Sequence, residues 1–313
     1  MTPFSLELPA AVDIREVGLR DGLQIEKPLE WEPKVAMIEA LAATGARRIE
    51  ATAFVSPRAV PAMADAERVA GELRRWPGIC WSALVASPNG ARRAVAAGLT
   101  DIEFVVSAVD GHSLANVGRT SDEALAQVAE VADIAHQVGG RCEVVIAVSW
   151  DCPFDGRTPQ ARTVQVARSA VDLGADRLCL GDTIGTTTPR RVTELVAGVR
   201  AATPGVELGV HFHDTRGTGQ ANALAAVLAG VTQLDASIGG LGGCPFAPGA
   251  SGNVATEELL YWLSESGVET GLSLPAVLEA AAIAEKAVGH ALPSSLYRAG
   301  GPARPLGRSA ARS

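Results

Sequence analysis

The chain has 313 residues, of which 47% are hydrophobic and 20% are charged, and its formal charge is −8 from 27 Lys and Arg against 35 Asp and Glu. This composition is typical of a chain that folds around an apolar core, so it excludes a disordered or collagen-like chain. The acidic balance excludes a nucleic-acid groove, which needs clustered Lys and Arg, and indicates a small molecule as the partner.

Short β-branched runs alternate with longer Ala, Leu and Val stretches at helical spacing, and this happens eight times. The predicted strands cover residues 12–19, 48–54, 79–85, 101–108, 142–149, 177–181, 208–213 and 233–239. The predicted helices cover residues 32–44, 60–75, 88–97, 121–138, 159–173, 189–202, 219–229 and 253–266. Most of the strands are continuous apolar runs, which are typical of a parallel sheet covered by helices. We therefore predict an α/β chain that forms a (βα)8 TIM barrel, with an open doubly wound sheet as the alternative.

A further helical pattern over residues 274–288 predicts a C-terminal helical extension, so residues 1–290 are expected to form one domain. The stretch 291–313 is predicted to be disordered because its end is rich in Gly, Pro and Arg. No apolar run has the length of a membrane helix, and the N-terminus lacks the pattern of a signal peptide. The prediction is a cytoplasmic protein with no membrane partner.

The end of the seventh strand carries the strongest metal motif. His211 and His213 are two of only five histidines, and residues i and i+2 of a strand point to the same side. Both imidazoles are therefore expected to reach one ion. The alternative is a pair of histidines whose hydrogen bonds are satisfied at the rim of the barrel.

The ends of the first two strands carry further charged candidates. Asp21 offers a carboxylate oxygen to the same ion, and Arg20 is suited to a substrate carboxylate or an enolate oxygen. The alternative is a solvated turn. Glu50 lies inside an apolar run, where a carboxylate needs a charged partner, and Arg20 is the nearest candidate.

The last strands supply the remaining candidates. Asp182 follows the sixth strand and is a catalytic candidate, since its carboxylate is expected to address a substrate oxygen. The glycine-rich stretch 239–252 after the eighth strand contains the single thiol of Cys244. Asn253 is either a ligand or the N-cap of the last barrel helix. Polar residues at or beside the strand ends are predicted to bind substrate: Gln24, Thr183 and Ser237. Such a mixed nitrogen and oxygen set favours Mg²⁺ or Mn²⁺ over a cysteine-rich zinc site.

Five segments resemble the 3-hydroxy-3-methylglutaryl-CoA lyase family of metal-dependent TIM-barrel lyases: residues 16–24, 47–57, 180–189, 211–215 and 240–259. The resemblance implies that the divalent cation is bound by Asp21, His211, His213 and Asn253. It also implies that Cys244 takes part in proton transfer, that Arg20 stabilises enolate charge and that Glu50 supports the site.

The activity implied is cleavage of 3-hydroxy-3-methylglutaryl-CoA to acetyl-CoA and acetoacetate by a homodimeric enzyme. The base that removes the hydroxyl proton is His211, through its second nitrogen, or a relayed water. Leu19, Ile25 and the stretch 107–120 depart from the family pattern at the substrate rim, so a related branched 3-hydroxyacyl-CoA is an alternative substrate. Lys27, Arg58 and Arg92 are candidates for the phosphates of CoA, with surface charges as the simpler interpretation.

Two other functions stay open. An acyl-CoA condensing transferase of the isopropylmalate-synthase type shares the barrel and the His-x-His ligands, although such enzymes usually carry a further region. A binding protein without catalysis would need a broken set of metal ligands.

Overall fold

The computed structural model describes residues 7–243 and 252–301. Eight parallel strands close into a barrel in the order β1-β10-β9-β8-β5-β4-β3-β2. These strands are β1 (Asp13–Glu16), β2 (Arg48–Phe54), β3 (Cys80–Val85), β4 (Asp101–Ser107), β5 (Arg141–Ala147), β8 (Arg177–Asp182), β9 (Glu207–Phe212) and β10 (Gln233–Ala236). A two-stranded antiparallel hairpin, β6 (Asp151–Cys152) and β7 (Gly156–Arg157), follows β5. The predicted (βα)8 barrel is confirmed, and the open sheet is excluded.

Helices cover the outside of the barrel. They are α1 (Trp31–Ala42), α2 (Ala66–Leu73), α3 (Pro88–Ala96), α4 (Asp110–Val117), α5 (Ser121–Leu125), α6 (Val128–His136), α7 (Gln160–Asp172), α8 (Pro189–Ala202), α9 (Gly219–Leu228), α10 (Thr256–Glu265), α11 (Leu274–Val288) and α12 (Ser295–Ala299). The single helix predicted over residues 121–138 is two helices, α5 and α6. The helix α4 was not predicted. None of the helices in the described ranges is both long and apolar enough to cross a membrane.

The C-terminal extension packs on the outside of the barrel, where α11 contacts α1 and α10. Its apolar side buries Val277, Ala281 and Ala284. The one-turn helix α12 lies within the stretch that was predicted to be disordered, and residues 302–313 lie outside the described residues. The single domain over residues 1–290 stays a prediction.

The first strand is shorter than predicted. It ends at Glu16 rather than Leu19, and a short π-helical turn, Gly18–Gly22, follows it. This turn is fully buried, and it carries both Arg20 and Asp21 across the mouth of the barrel. π-helical turns are rare in proteins, but those that occur are often found at functional sites.

The barrel interior contains a layer of charged side chains that the sequence analysis did not anticipate. Arg15 of β1 lies opposite Asp235 of β10 and contacts Glu103 of β4 and Glu143 of β5 across the barrel. All four side chains are at most 5% exposed. A buried ion is tolerated only when it is paired and hydrogen-bonded, and each of these carboxylates contacts the Arg15 guanidinium.

Candidate active site

Three donor groups meet at the C-terminal mouth of the barrel. Asp21 follows β1, His211 ends β9 and His213 comes directly after β9. Each of the three offers one ligand atom, and these atoms all lie within 4.8 Å of one another. The structure thus brings Asp21 next to two histidines that are nearly 200 residues away in the sequence.

Asp21 is held by neutral and charged donors. Its Oδ1 accepts hydrogen bonds from Arg20 (2.5 Å) and from Gln24 Nε2 (3.1 Å). Its Oδ2 lies 3.8 Å from His211 Nε2 and 3.9 Å from His213 Nε2. Burial acts to raise the pKa of Asp21. The guanidinium of Arg20, the two nearby imidazoles and the hydrogen bond from Asn253 overcome that effect and lower the pKa to about 2. Asp21 is therefore an ionised carboxylate at neutral pH.

Asn253 completes the oxygen side of the site. It does not cap α10, whose N-cap is Ala255, so the N-cap interpretation is wrong. Its backbone forms an antiparallel bridge with His213, and its Nδ2 donates to Asp21 Oδ2 (2.7 Å) and to the Leu241 carbonyl (2.9 Å). Its buried Oδ1 has no hydrogen-bond partner within residues 7–243 and 252–301.

The two imidazoles also have ligand character. His213 is 4% exposed, and its Nδ1 accepts and donates no hydrogen bond within the described part of the chain. Burial and the neighbouring His211 lower the pKa of His213 to about 4, so it is neutral at pH 7. Two imidazoles, an ionised carboxylate and an amide oxygen with a spare acceptor site fit a divalent cation.

Arg20 and Glu50 pair as the sequence indicated. Arg20 Nε lies 2.7 Å from Glu50 Oε1, and the Glu50 side chain is completely buried. Burial raises the pKa of Glu50, and the guanidinium of Arg20 opposes that rise. The second side of the same guanidinium contacts Asp21. Glu50 is thus linked to Asp21 through Arg20.

A cavity of about 160 Å³ is lined by Arg20, Asp21, His211 and His213. Of the predicted substrate-binding residues, Gln24 and Thr183 line it beside Arg20. Thr183 Oγ1 accepts a hydrogen bond from the N–H of Val148, whose φ of 51° is rare for a β-branched residue. That contact ties the end of β8 to the end of β5.

Four predicted residues within the described ranges are not part of the cavity lining: Glu50, Asn253, Asp182 and Ser237. The Asp182 carboxylate accepts hydrogen bonds from the N–H groups of Thr186 and Thr187, and burial raises its pKa to about 6. It holds the turn after β8 rather than facing the cavity. Ser237 is fully buried beside Gly22, which also places its hydroxyl away from the cavity.

Cys244, the predicted catalytic thiol, lies outside the described residues. The other four cysteines are free; Cys142, Cys152 and Cys179 are buried and Cys80 is partly buried.

Three residues near the site were missed by the sequence analysis. Asp235 lines the cavity and lies 3.1 Å from His211 Nδ1. His112 and Asn116, one turn apart on α4, also line the cavity. Asp235 could have been found from the sequence, because it is a carboxylate inside a predicted strand, as Glu50 is. His112 and Asn116 had no such signal, since α4 was not predicted.

A wider groove of about 850 Å³ adjoins the cavity and shares Arg20, Gln24 and Asn116 with it. Besides Arg20, its lining includes the cations Arg93 and Arg119. The candidates for phosphate contacts, Lys27, Arg58 and Arg92, do not line this groove in the described structure. Arg92 instead pairs with Glu130 on the surface.

Known proteins resemble this chain in both sequence and fold. The family model described as HMGL-like matches residues 11–283. The chain is 37% identical over 292 residues to the mitochondrial hydroxymethylglutaryl-CoA lyase of Bos taurus, covering 93% of this chain and 90% of that protein. It is 39% identical over 294 residues to the cytoplasmic 3-hydroxy-3-methylglutaryl-CoA lyase of Danio rerio, covering 94% and 88%. A solved structure also resembles this chain, that of an HMG-CoA lyase from Acenitobacter baumannii in complex with coenzyme A and 3-methylmalate. It superposes with a TM-score of 0.90 at 36% identity, and the match covers 95% of this chain and 98% of that one.

Proposed function

The chain belongs to the HMGL-like family, and on that basis we propose that it is a divalent-metal-dependent carbon–carbon lyase that cleaves 3-hydroxy-3-methylglutaryl-CoA to acetyl-CoA and acetoacetate. The observation that carries this proposal is the convergence of Asp21, His211 and His213 beside Arg20 in one cavity. Its position at the C-terminal face of the barrel is the usual place for catalysis in this fold.

The proposed ligands are Asp21, His211, His213 and Asn253, and the proposed ion is Mg²⁺ or Mn²⁺. The unpartnered Oδ1 of Asn253 supports the fourth ligand. A bound divalent cation supplies Lewis acidity to the oxygens of a bound substrate.

The other side chains have proposed roles in handling charge and protons. The Arg20 guanidinium, held by Glu50 and Asp21, stabilises the negative charge that develops on the thioester oxygen as the carbon–carbon bond breaks. Cys244 delivers a proton to the resulting carbon, a role that comes from the family resemblance. Gln24 and Thr183 contact the substrate from the cavity wall, whereas Asp182 and Ser237 act by shaping the loops around it.

The groove beside the cavity is the proposed site of the CoA part of the substrate. Its continuity with the cavity, and the presence of Arg93 and Arg119 in addition to Arg20, suit a long anionic thioester. Ile25, which is 49% exposed, lies on the groove wall. Its departure from the family pattern keeps a related branched 3-hydroxyacyl-CoA as the alternative substrate. The cytoplasmic location and the homodimer stay predictions; relatives of this chain include proteins named cytoplasmic and mitochondrial.

The test is an assay of the purified protein with 3-hydroxy-3-methylglutaryl-CoA and Mg²⁺ or Mn²⁺. We expect acetoacetate and acetyl-CoA in equal amounts, and we expect chelation of the metal to stop their release. His213→Ala should lower kcat at least a hundredfold because a ligand is lost. The matched control is His136→Ala, which changes a histidine on the outside of the barrel and should keep the full rate.

A panel of other branched 3-hydroxyacyl-CoA thioesters separates the substrate from the reaction class. Cleavage of one of these, without cleavage of 3-hydroxy-3-methylglutaryl-CoA, would change the substrate and keep the lyase. Full activity in the presence of a chelator, or in His213→Ala, would overturn the metal mechanism.

A further inference from the structure

One row of the barrel interior connects the candidate metal site to the centre of the barrel. Arg15 of β1 is in register with Asp235 of β10, and Asp235 is in register with His211 of β9. Residues in register on neighbouring parallel strands point to the same side of the sheet, so these three side chains meet inside the barrel. The row crosses the seam where the first and last strands close the barrel.

The Asp235 carboxylate is held by Arg15 and also contacts His211 and Cys179. Arg15 donates to both of its oxygens, from Nε to Oδ1 and from Nη2 to Oδ2, each at 2.8 Å. The remaining guanidinium nitrogen of Arg15 lies 2.9 Å from Glu103 and 2.7 Å from Glu143. A bidentate guanidinium fixes the plane and the position of a carboxylate. Asp235 is therefore a rigid acceptor, although it lies at the edge of a cavity.

The two imidazoles differ in how they are held. His211 Nδ1 lies 3.1 Å from Asp235 Oδ2, while its Nε2 faces Asp21. His213 Nδ1 has no hydrogen-bond partner in the described part of the chain. A carboxylate that already accepts two guanidinium bonds is an acceptor only, so the shared proton sits on His211 Nδ1.

We propose that Asp235, clamped by Arg15, is a positioning residue that fixes His211 as the Nδ1–H tautomer and presents its Nε2 lone pair to the divalent cation. This inference rests on the metal site of the proposed function. Partners of this kind orient the ring of a ligating histidine and raise its basicity.

The arrangement has a consequence for the reaction. With Nδ1 donating to Asp235 and Nε2 directed to the ion, His211 has no lone pair left to accept the proton of the substrate hydroxyl. The route through the second nitrogen of His211 is closed by this geometry, so the proton leaves through another acceptor, such as a relayed water.

The first measurement is the affinity for Mn²⁺. It is obtained by titration, with the electron paramagnetic resonance signal of free Mn²⁺ as the readout. Asp235→Asn keeps the volume of the side chain but places an amide against Arg15 and His211, and we expect it to weaken Mn²⁺ binding about 10- to 100-fold. Glu103→Gln is the matched control, since it removes an equally buried carboxylate from the same guanidinium without contacting His211. It should bind Mn²⁺ within about threefold of the unchanged protein. Wild-type affinity in Asp235→Asn, or equal losses in both variants, would overturn the proposal.

The second measurement reads the tautomer in the unchanged protein and uses a variant only to assign the signals. In the unchanged protein labelled with ¹⁵N-histidine, the long-range ¹H–¹⁵N spectrum at pH 8 distinguishes the two tautomers. We expect the His211 signals, assigned by their loss in His211→Asn, to be those of the Nδ1–H form. The Nε2–H form would overturn the proposal while leaving the lyase intact. Absence of Mn²⁺ binding to the unchanged protein would instead overturn the metal mechanism itself, and this inference with it.

Discussion

Arg20 and Glu50 are a buried ion pair, with 2.7 Å between Nε and Oε1. Removing one partner leaves an uncompensated buried charge and costs about 3–5 kcal/mol, whereas replacing both partners with apolar residues costs less. We expect Arg20→Met and Glu50→Leu each to lower the free energy of unfolding by about that amount, and the double variant to be more stable than either. Urea denaturation measures all three. The exposed pair Arg75–Glu39 is the control and should show little coupling. Additive losses at Arg20 and Glu50 would contradict the expected coupling.

Glu16 connects the turn after β1, the turn after β10 and the start of α10. Its carboxylate accepts hydrogen bonds from the N–H groups of Gly18 and Ile238 and from the hydroxyl of Thr256. Burial raises its pKa to about 7, so between pH 4.5 and 7 the folded state holds more protons than the unfolded state. The free energy of unfolding therefore falls as pH rises through this window. In the unchanged protein we expect Glu16 to lower the free energy of unfolding by on the order of 2–3 kcal/mol between pH 5 and 8, measured by urea denaturation. Glu16→Gln should lose this pH dependence. Glu207→Gln, on the exposed rim, should keep the fall; an unchanged pH profile in Glu16→Gln would contradict the expectation.

The proposed ligands connect distant parts of the whole molecule, because they come from the turn after β1, the end of β9 and the segment after residue 252. An ion that binds only the folded chain at 100 times its Kd stabilises it by about 2.7 kcal/mol. For a chain of this size we expect Mn²⁺ to raise Tm by roughly 5 °C, measured by calorimetry. Asp21→Ala should lose this shift, while Asp133→Ala, a change at an exposed position on α6, should retain it. A full shift in Asp21→Ala would remove Asp21 from the site.

The site could be predicted from the sequence where a residue interrupts a regular pattern. His211 and His213 share one side because they are two residues apart, and Glu50 needed a partner because it lies in an apolar run. The same rule applied to Arg15, Glu103, Glu143 and Asp235 would have found the charged interior. The π-helical turn at Gly18–Gly22 had no such signal, since its backbone is stabilised by contacts with β2 and with the turn after β10.

The sequence by itself determined the eight-fold alternation of strand and helix, the family and the kinds of side chain available for a metal site, because periodicity and short motifs are local properties. The tertiary structure alone decided that Asn253 bonds to Asp21 instead of capping α10, that Asp182 holds a turn, and that Asp235 orients His211. The contacts of Asn253 with Asp21 and of Asp235 with Arg15 join segments more than 200 residues apart, so they depend on the packing that closes the barrel between β1 and β10. The Asp182 turn is local, because its carboxylate accepts from N–H groups only four and five residues away.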